Sequence, residues 1–340
     1  MLLAGDIGGT KTLLGLFTPG SPRPQPIAVA EFVTLDYDGL EFIIHAFLEQ
    51  HRVTPRELTA ATMGVAGAIT DQVALLTNVP WRVDRAALAG EFGVDRVRLL
   101  NDLEAMAYAV PVLEEDELEI LQRGHRVASG NIGIIAAGTG LGEGMLLNVN
   151  GRWIAGQSEG GHADFSARTP RELEMTAVLA QVYGRVSAEH VLSGPGLVNV
   201  YRFTHTAFEA DITTSPARSV PAKLCAGVGD VQDAADLPPR ISASAAEGRC
   251  RRCIETLDLF VSAYGAEAGN LGLRFVATAG VYVGGGIAPR ILPALRAGAF
   301  MEAFRAKPPM DGLVRRMPVA VILNSKSGLL GAAVHAAGGT

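Results

Sequence analysis

The stretch Leu2-Leu3-Ala4-Gly5-Asp6-Ile7-Gly8-Gly9-Thr10-Lys11 places an apolar run, one acidic residue and a Gly-Gly-Thr turn in immediate succession. The apolar residues before Asp6 suit a buried strand, and Thr12 to Phe17 suits its antiparallel partner. Gly8 and Gly9 allow backbone torsions closed to other residues and let a ligand approach the main chain, so their N–H groups can form an anion nest, with Asp6 facing a metal ion. Gly-Gly between two strands is equally an ordinary hairpin turn, so the phosphate reading needs support from elsewhere in the chain.

That support comes from an internal echo. Ile132 to Ala137 and Met145 to Val149 flank Gly138-Thr139-Gly140-Leu141-Gly142, a second strand, glycine turn, strand unit. A third glycine turn, Gly284-Gly285-Gly286, follows a strand candidate at Val276 to Val283. Two such hairpins in one chain point to a duplicated architecture in which each half offers a loop to the same ligand. Through most of the sequence, strand-like runs (Ala60 to Val65, Val97 to Leu100, Val319 to Leu323) alternate with helix-like ones (Leu40 to His51, Leu103 to Ala109, Leu197 to Phe203, Cys253 to Leu273, Gly328 to Ala337), which indicates α/β layering. Ala210 to Glu247 is rich in Ala, Ser, Pro and Asp, has the weakest periodicity, and reads as helix and mobile loop without function.

A length of 340 residues fits two ordinary domains or one large α/β domain, and 48% hydrophobic content supplies a real core. A net charge of -6 gives no electrostatic reason to bind nucleic acid or an anionic membrane. Asp6 interrupts the apolar run near the N-terminus, so no secretory signal is expected, and no stretch is apolar enough for a membrane span. Three cysteines, Cys225, Cys250 and Cys253, cannot all pair, which fits a reducing, cytoplasmic setting. The Cys250-Arg-Arg-Cys253 spacing invites a metal reading, but a structural zinc needs four ligands. No second Cys pair exists, His205 is distant and lone, and the arginines would repel a cation. The expectation is ordinary helix cysteines.

Three segments could carry chemistry. Asn101-Asp102 sits where a strand ends and a helix begins, a place ligands favour in α/β folds and also the ordinary place for an N-cap. Glu159-Gly160-Gly161-His162 holds a carboxylate and an imidazole across two glycines, with Asp164 just beyond, and suits hydrogen bonding to several hydroxyls. Glu and His alone are an incomplete metal set, and purely structural hydrogen bonding is the rival. Glu189 precedes the turn Ser193-Gly194-Pro195-Gly196 and by itself reads as a surface charge.

Taken together and in order, Gly5-Asp-Ile-Gly-Gly-Thr10, Leu76-Thr-Asn-Val-Pro-Trp81, Asn101-Asp102, Gly138-Thr-Gly-Leu-Gly142, Glu159-Gly-Gly-His162, Ala188-Glu-His-Val-Leu-Ser-Gly-Pro-Gly-Leu197 and Gly284-Gly-Gly-Ile-Ala-Pro289 resemble the bacterial glucokinases of the group without the ROK zinc motif. The resemblance spans Gly5 to about Gly331. It implies the actin-like ATPase (ribonuclease H-like) fold: two α/β domains flanking a ligand cleft that closes on substrate. The small domain would be 1–111 plus about 325–340, and the large one 112–324. It further implies ATP-dependent phosphorylation of glucose, with Asp102 as catalytic base and Asn101, Asp102, Glu159, His162 and Glu189 around the sugar. Gly5, Asp6, Ile7, Gly8, Gly9 and Thr10 with Gly138, Thr139 and Gly140 would hold the phosphates. Gly284, Gly285 and Gly286 would lie against the adenosine, and Asp6 would hold Mg²⁺, through water. A homodimer is usual in the family.

The chain departs from the pattern at Lys11, where close relatives often carry Asn, and in the longer, Ala/Pro-rich Ala210 to Glu247 stretch. The clustered cysteines and histidine of the ROK group are absent, so no zinc is expected. The alternatives are a kinase for another hexose or an amino sugar, a non-catalytic sugar-sensing regulator, and an ATP-driven chaperone. With the phosphate hairpin starting at residue 5, the regulator's DNA-binding domain is not expected before it, and the chaperone would lack the Glu-Gly-Gly-His loop.

Overall fold

A computed structural model describes residues 1–76, 79–205, 220 and 224–338. Along the chain run β1 (Leu2–Ile7), β2 (Lys11–Thr18), β3 (Gln25–Val33), α1 (Leu40–Gln50), β4 (Ala60–Val65), β5 (Gly67–Thr70), β6 (Val73–Leu76), β7 (Arg82–Asp84), α2 (Arg85–Phe92), β8 (Val97–Asn101) and α3 (Asp102–Ala109). Next come β9 (Leu118–Gln122), β10 (Ile132–Ala137), β11 (Leu141–Val149), β12 (Arg152–Gly156), α4 (Pro170–Tyr183), α5 (Gly194–Thr204), α6 (Leu237–Ala246) and α7 (Arg251–Phe275). The chain ends with β13 (Gly280–Gly284), α8 (Leu292–Arg296), α9 (Ala299–Arg305), α10 (Asp311–Val314), β14 (Val319–Ile322) and α11 (Ser327–Ala336).

The chain forms two compact units. The first comprises Met1–Leu118, Gly144–Gln157 and Asn324–Thr340; the second comprises Glu119–Glu143 and Ser158–Leu323. Gly144–Gln157 thus groups with the first unit, a detour that the division at 111 and 325 does not contain. It follows from packing on α3, where the Ala155 N–H donates to the Tyr108 hydroxyl at 3.1 Å.

In the first unit the sheet order is β3-β2-β1-β4-β8. β1 runs antiparallel to β2 and parallel to β4, which is parallel to β8. This arrangement brings the carboxyl ends of β1 and β8, with Asp6 and Asn101-Asp102, to one edge. On the sheet lies α1, whose Leu40, Ile43, Ile44, Phe47 and Leu48 are buried at the spacing of one helical face. Burying side chains of this size is worth about 1.5–3 kcal/mol each, which outweighs their intrinsic propensities in fixing the helix.

A six-stranded sheet has the order β12-β11-β10-β13-β14-β9, and its strands β10, β13 and β14, all of the second unit, are parallel. The core of that unit is built on α7, which buries Phe260, Val261, Tyr264, Ala268 and Leu271. The strand expected from Val276 begins only at Gly280. Val276 has φ 46 and caps α7, the Ala277 N–H closing back on the Gly272 carbonyl at 3.0 Å, so an apolar run that reads as strand is a helix terminus. Of the Ala210 to Glu247 segment, 206–219 and 221–223 lie outside the described residues, as do 77 and 78 of the Leu76 to Trp81 motif. The remainder of the segment contains a turn at Cys225 to Val228 and the helix α6. No helix among the described residues is long and apolar enough to cross a membrane.

Candidate active site

The candidate residues fall into two groups, one in each unit. In the first, β1 and β2 pair without a break from Leu2↔Phe17 to Ile7↔Thr12, and the Gly8 N–H donates to the Lys11 carbonyl at 2.9 Å to close the turn. The Thr34 hydroxyl donates to the Gly8 carbonyl at 2.9 Å, holding the turn from outside. Gly5 and Ile7 are buried in the strand, whereas Thr10 is exposed at the tip. Asp6 lies at the strand's end, its pKa pushed up to about 6 by burial first and by the charge of Asp102 second. A Cβ on Gly328, in the first turn of α11, would stand 2.7 Å from an Asp6 carboxylate oxygen, so a side chain there would displace that carboxylate.

Asn101 is both cap and candidate. Its side chain accepts the Leu103 N–H at 2.9 Å and its Nδ2 donates to the Gly67 carbonyl at 3.2 Å, while Glu104 accepts the Asn101 N–H at 2.8 Å. This reciprocal capping box starts α3 at the next residue and sets Asp102 in its first turn. The Asp102 Oδ1 also accepts the Leu103 N–H at 2.9 Å, a charge-assisted bond that orients the carboxylate.

In the second unit the turn after β10 is closed by the Gly138 N–H donating to the Gly140 carbonyl at 2.8 Å. Beneath it the buried Tyr264 hydroxyl accepts the Ala137 N–H at 3.1 Å. Thr139 is exposed, and a Cβ on Gly138 would meet nothing within 4 Å, leaving open space against the main chain. Parallel pairing of Ala136 with Gly284 puts the third glycine turn at the same end of the sheet. Gly285 has φ 82, and a side chain there would overlap the Ala137 carbonyl; Gly286 opens to free space.

Glu189 is no isolated surface charge. Its Oε2 accepts the Leu141 N–H at 2.9 Å, on the glycine turn itself, and its Oε1 lies 4.0 Å from His162 Nδ1. The other ring nitrogen of His162 is 3.9 Å from Glu159, so the imidazole stands between two carboxylates. The loop carrying it runs too close to β11 for side chains: a Cβ on Gly161 would overlap the Leu141 carbonyl, and one on Gly160 the Glu143 carboxylate. Arg185 donates to the His162 carbonyl at 2.8 Å and to Asp164 at 2.9 Å, and the Ala188 N–H donates to the Ala163 carbonyl at 2.9 Å, lacing the two loops together.

Behind this loop lies a group that sequence reading missed. Glu143 is 2% exposed, and its Oε1 has no hydrogen-bond partner among the described residues. Burial first and the neighbouring Glu267 second push its pKa up to about 8, against the pull of Arg274, whose guanidinium reaches it at 3.2 Å. No local pattern marks it, since Glu143 sits within a glycine-flanked strand start.

One expectation is overturned. His205 is not lone: the fold gathers His205, Cys225, Cys250 and Cys253 so that their ligand atoms all lie within 4.8 Å of one another. Sequence spacing shows no second Cys pair because the further ligands come from the end of α5 and from a turn before α6.

Two α/β units, each with a strand, glycine turn, strand hairpin, make up the actin-like ATPase fold of the sugar kinases. A solved glucokinase from an Antarctic psychrotroph superposes with TM-score 0.83 at 28% identity, each chain covered to 98%. A ROK family glucokinase from Streptomyces griseus, solved with glucose and AMPPNP, shares the fold at TM-score 0.62 and 20% identity, covering 98% of both chains. The family model described as Glucokinase matches residues 3–338, and the chain belongs to the glucokinase family. Glucokinases of Nostoc punctiforme and Synechocystis are 38% and 37% identical to it, over 99% and 98% of this chain and 99% and 97% of theirs.

Proposed function

We propose that this chain transfers the γ-phosphoryl group of ATP to the 6-hydroxyl of D-glucose, giving glucose 6-phosphate and ADP. The observation that carries the reading is family membership along residues 3–338, with relatives named glucokinase over nearly their whole length. Phosphoryl transfer passes through a loose transition state, so the protein's work is to align the acceptor hydroxyl and offset charge on the phosphate oxygens. Asp102 orients the 6-hydroxyl and accepts its proton; its capped position at the start of α3 supports that role. Glu159, His162 and Glu189, with Asn101, read the ring hydroxyls, where an analogue lacking one leaves a polar group unpaired. The turns Gly8 to Thr10 and Gly138 to Gly140 bind phosphates through the N–H groups not used to close them and through the Thr10 and Thr139 hydroxyls, and Gly284 to Gly286 face the adenosine.

Asp6 suits Mg²⁺. It is an oxygen donor whose charged form is disfavoured by burial and by Asp102, a penalty that a divalent cation relieves. Asp6 would hold the ion, which would supply positive charge against that developing on the phosphate oxygens. This reading takes the enzyme as a cytoplasmic homodimer, which sedimentation equilibrium of the full chain checks.

A matrix of phosphoryl donors against glucose, mannose, fructose and N-acetylated amino sugars, read as ADP formed, tests the proposal. Glucose with ATP is expected to have the highest kcat/KM. Preference for another sugar moves the assignment to that sugar, and no turnover with any of them removes the kinase reading.

A further inference from the structure

The His205, Cys225, Cys250 and Cys253 cluster lies within the second unit and takes no part in the proposed reaction. His205 Nε2 is 3.5 Å from Cys250 Sγ and 4.0 Å from Cys253 Sγ, and Cys225 Sγ is 3.6 Å from Cys253 Sγ. A tetrahedral zinc with Zn–S of about 2.3 Å and Zn–N of about 2.0–2.1 Å holds neighbouring ligand atoms about 3.5–3.8 Å apart; the 3.5 and 3.6 Å separations match this, and all four ligand atoms lie within 4.8 Å of one another, close enough to draw in on an ion. The imidazole is presented correctly for a metal: its Nδ1 lies 2.9 Å from the Tyr201 carbonyl, which takes the ring proton and leaves the Nε2 lone pair aimed at the thiols. Tyr201 stacks on the same ring with centroids 3.9 Å apart, and its hydroxyl accepts the Cys225 N–H at 2.9 Å, so one side chain fixes two members of the set.

We propose that these four residues form a structural zinc site that fastens the end of α5 to the start of α7. Three soft sulfurs and an imidazole select zinc over Mg²⁺, and four protein ligands leave no open coordination position, so the site is structural rather than catalytic. Each thiol gives up its proton on binding. Cys250 is the N-cap of α7 and Cys253 lies within its first turn, so one helix start positions both sulfurs. Arg251 and Arg252 do not repel the ion. Both are exposed, and three thiolates around Zn²⁺ leave a net negative charge that they complement. A Cys225–Cys253 disulfide is the rival, and it gives no role to the aligned His205 or to Cys250.

The position suggests what the metal does. His205 follows α5 and Cys225 lies in the turn before α6, so the ion ties both to the start of α7. At the other end of α5, the Gly194 N–H donates to the Gly138 carbonyl at 2.8 Å, which connects the fastened helix to the glycine turn.

The full-length chain, purified under reducing conditions without chelator, is expected to carry about one zinc per chain. Replacing it with Co²⁺ should give the visible bands of a tetrahedral ion and a thiolate charge-transfer band. Cys250→Ser and His205→Ala should each weaken Co²⁺ binding more than about 100-fold. If these variants fail to fold, titration of metal-stripped wild-type chain with Co²⁺ decides alone. Absence of the charge-transfer band, undiminished zinc in Cys250→Ser, or a disulfide seen by mass after non-reducing purification would overturn the proposal. Wild-type chain should also lose several degrees of Tm on zinc removal, and His205→Ala should lose none.

Discussion

Asp102 and Glu159 are held in opposite ways. Asp102 is built into the backbone of a helix start, with a reciprocal capping box on one side and the Leu103 N–H on its own carboxylate. Glu159 and His162 stand on a backbone locked by close contacts at Gly160 and Gly161, yet their side chains are 74% and 59% exposed and approach each other only to 3.9 Å. A group that must accept a proton gains from being aimed before substrate arrives, because misalignment by an ångström costs rate. Groups that recognise hydroxyls need only a fixed origin, since the sugar itself completes their hydrogen bonds. On the proposed reaction, the first unit fixes the base and the second presents most of the recognising groups.

The sharpest way to break this contrast is Asp102→Asn. The amide keeps the shape and the Leu103 bond but takes no proton, so kcat should fall about 10²–10⁴-fold while glucose affinity stays within about tenfold. Near-normal turnover would remove Asp102 as base and with it the division of labour.

Glu189 tests the other side, because it touches both the glycine turn and His162. Glu189→Gln retains a carbonyl oxygen for the Leu141 N–H and should raise KM for glucose by roughly 10–100-fold, the equivalent of one charged hydrogen bond, with KM for ATP nearly unchanged. Glu189→Ala frees the turn as well and should raise both. Equal effects of the two variants on ATP would mean that the turn does not depend on this carboxylate.

A smaller effect separates phosphate contact from fold. Since a Cβ at Gly138 meets no atom, Gly138→Ala should leave Tm unchanged but crowd the ligand side of the turn, raising KM for ATP roughly tenfold, about 1.4 kcal/mol. Gly285→Ala is the counterpart that should not fold as well, because φ 82 and the Ala137 carbonyl both exclude a side chain. An unaltered KM in Gly138→Ala would return that turn to the status of a plain hairpin.

What was legible in the sequence was local. The β1 and β2 hairpin and the strand Ile132–Ala137 follow from apolar runs broken by glycines, signals contained within a dozen residues. Val276 misled because a β-branched residue in the left-handed region is rare and no neighbour announces the helix end. Glu189 read as a surface charge since its partner Leu141 is 48 residues away, and the imidazole of His205 meets Cys250 across 45. Burial of Glu143 was hidden for the same reason, its guanidinium partner standing 131 residues on. Chemistry assembled across such separations leaves no periodicity to read.

Glu143 supplies the mildest test, and it reaches the recognition loop from behind. Its raised pKa means that folding favours the protonated form. The folded state then binds more protons than the unfolded one between the ordinary carboxylate range and about 8, so the stabilisation is complete below about 4.5 and is lost as pH rises through about 8. Glu143→Gln mimics the neutral acid and cannot titrate. Its unfolding free energy should match wild type within about 1 kcal/mol near pH 5 and exceed it by about 1–3 kcal/mol at pH 8.5, as read from urea midpoints across that range. If the carboxylate is instead held ionised by Arg274, the two curves run parallel and Glu143→Gln is less stable throughout, because the guanidinium has lost its charged partner. KM for glucose in the variant then decides whether the loop feels the change: a pH-independent KM places Glu143 in the core alone, whereas a KM that loses its rise above pH 7 ties the buried acid to the position of Gly160 and, through it, to Glu159 and His162.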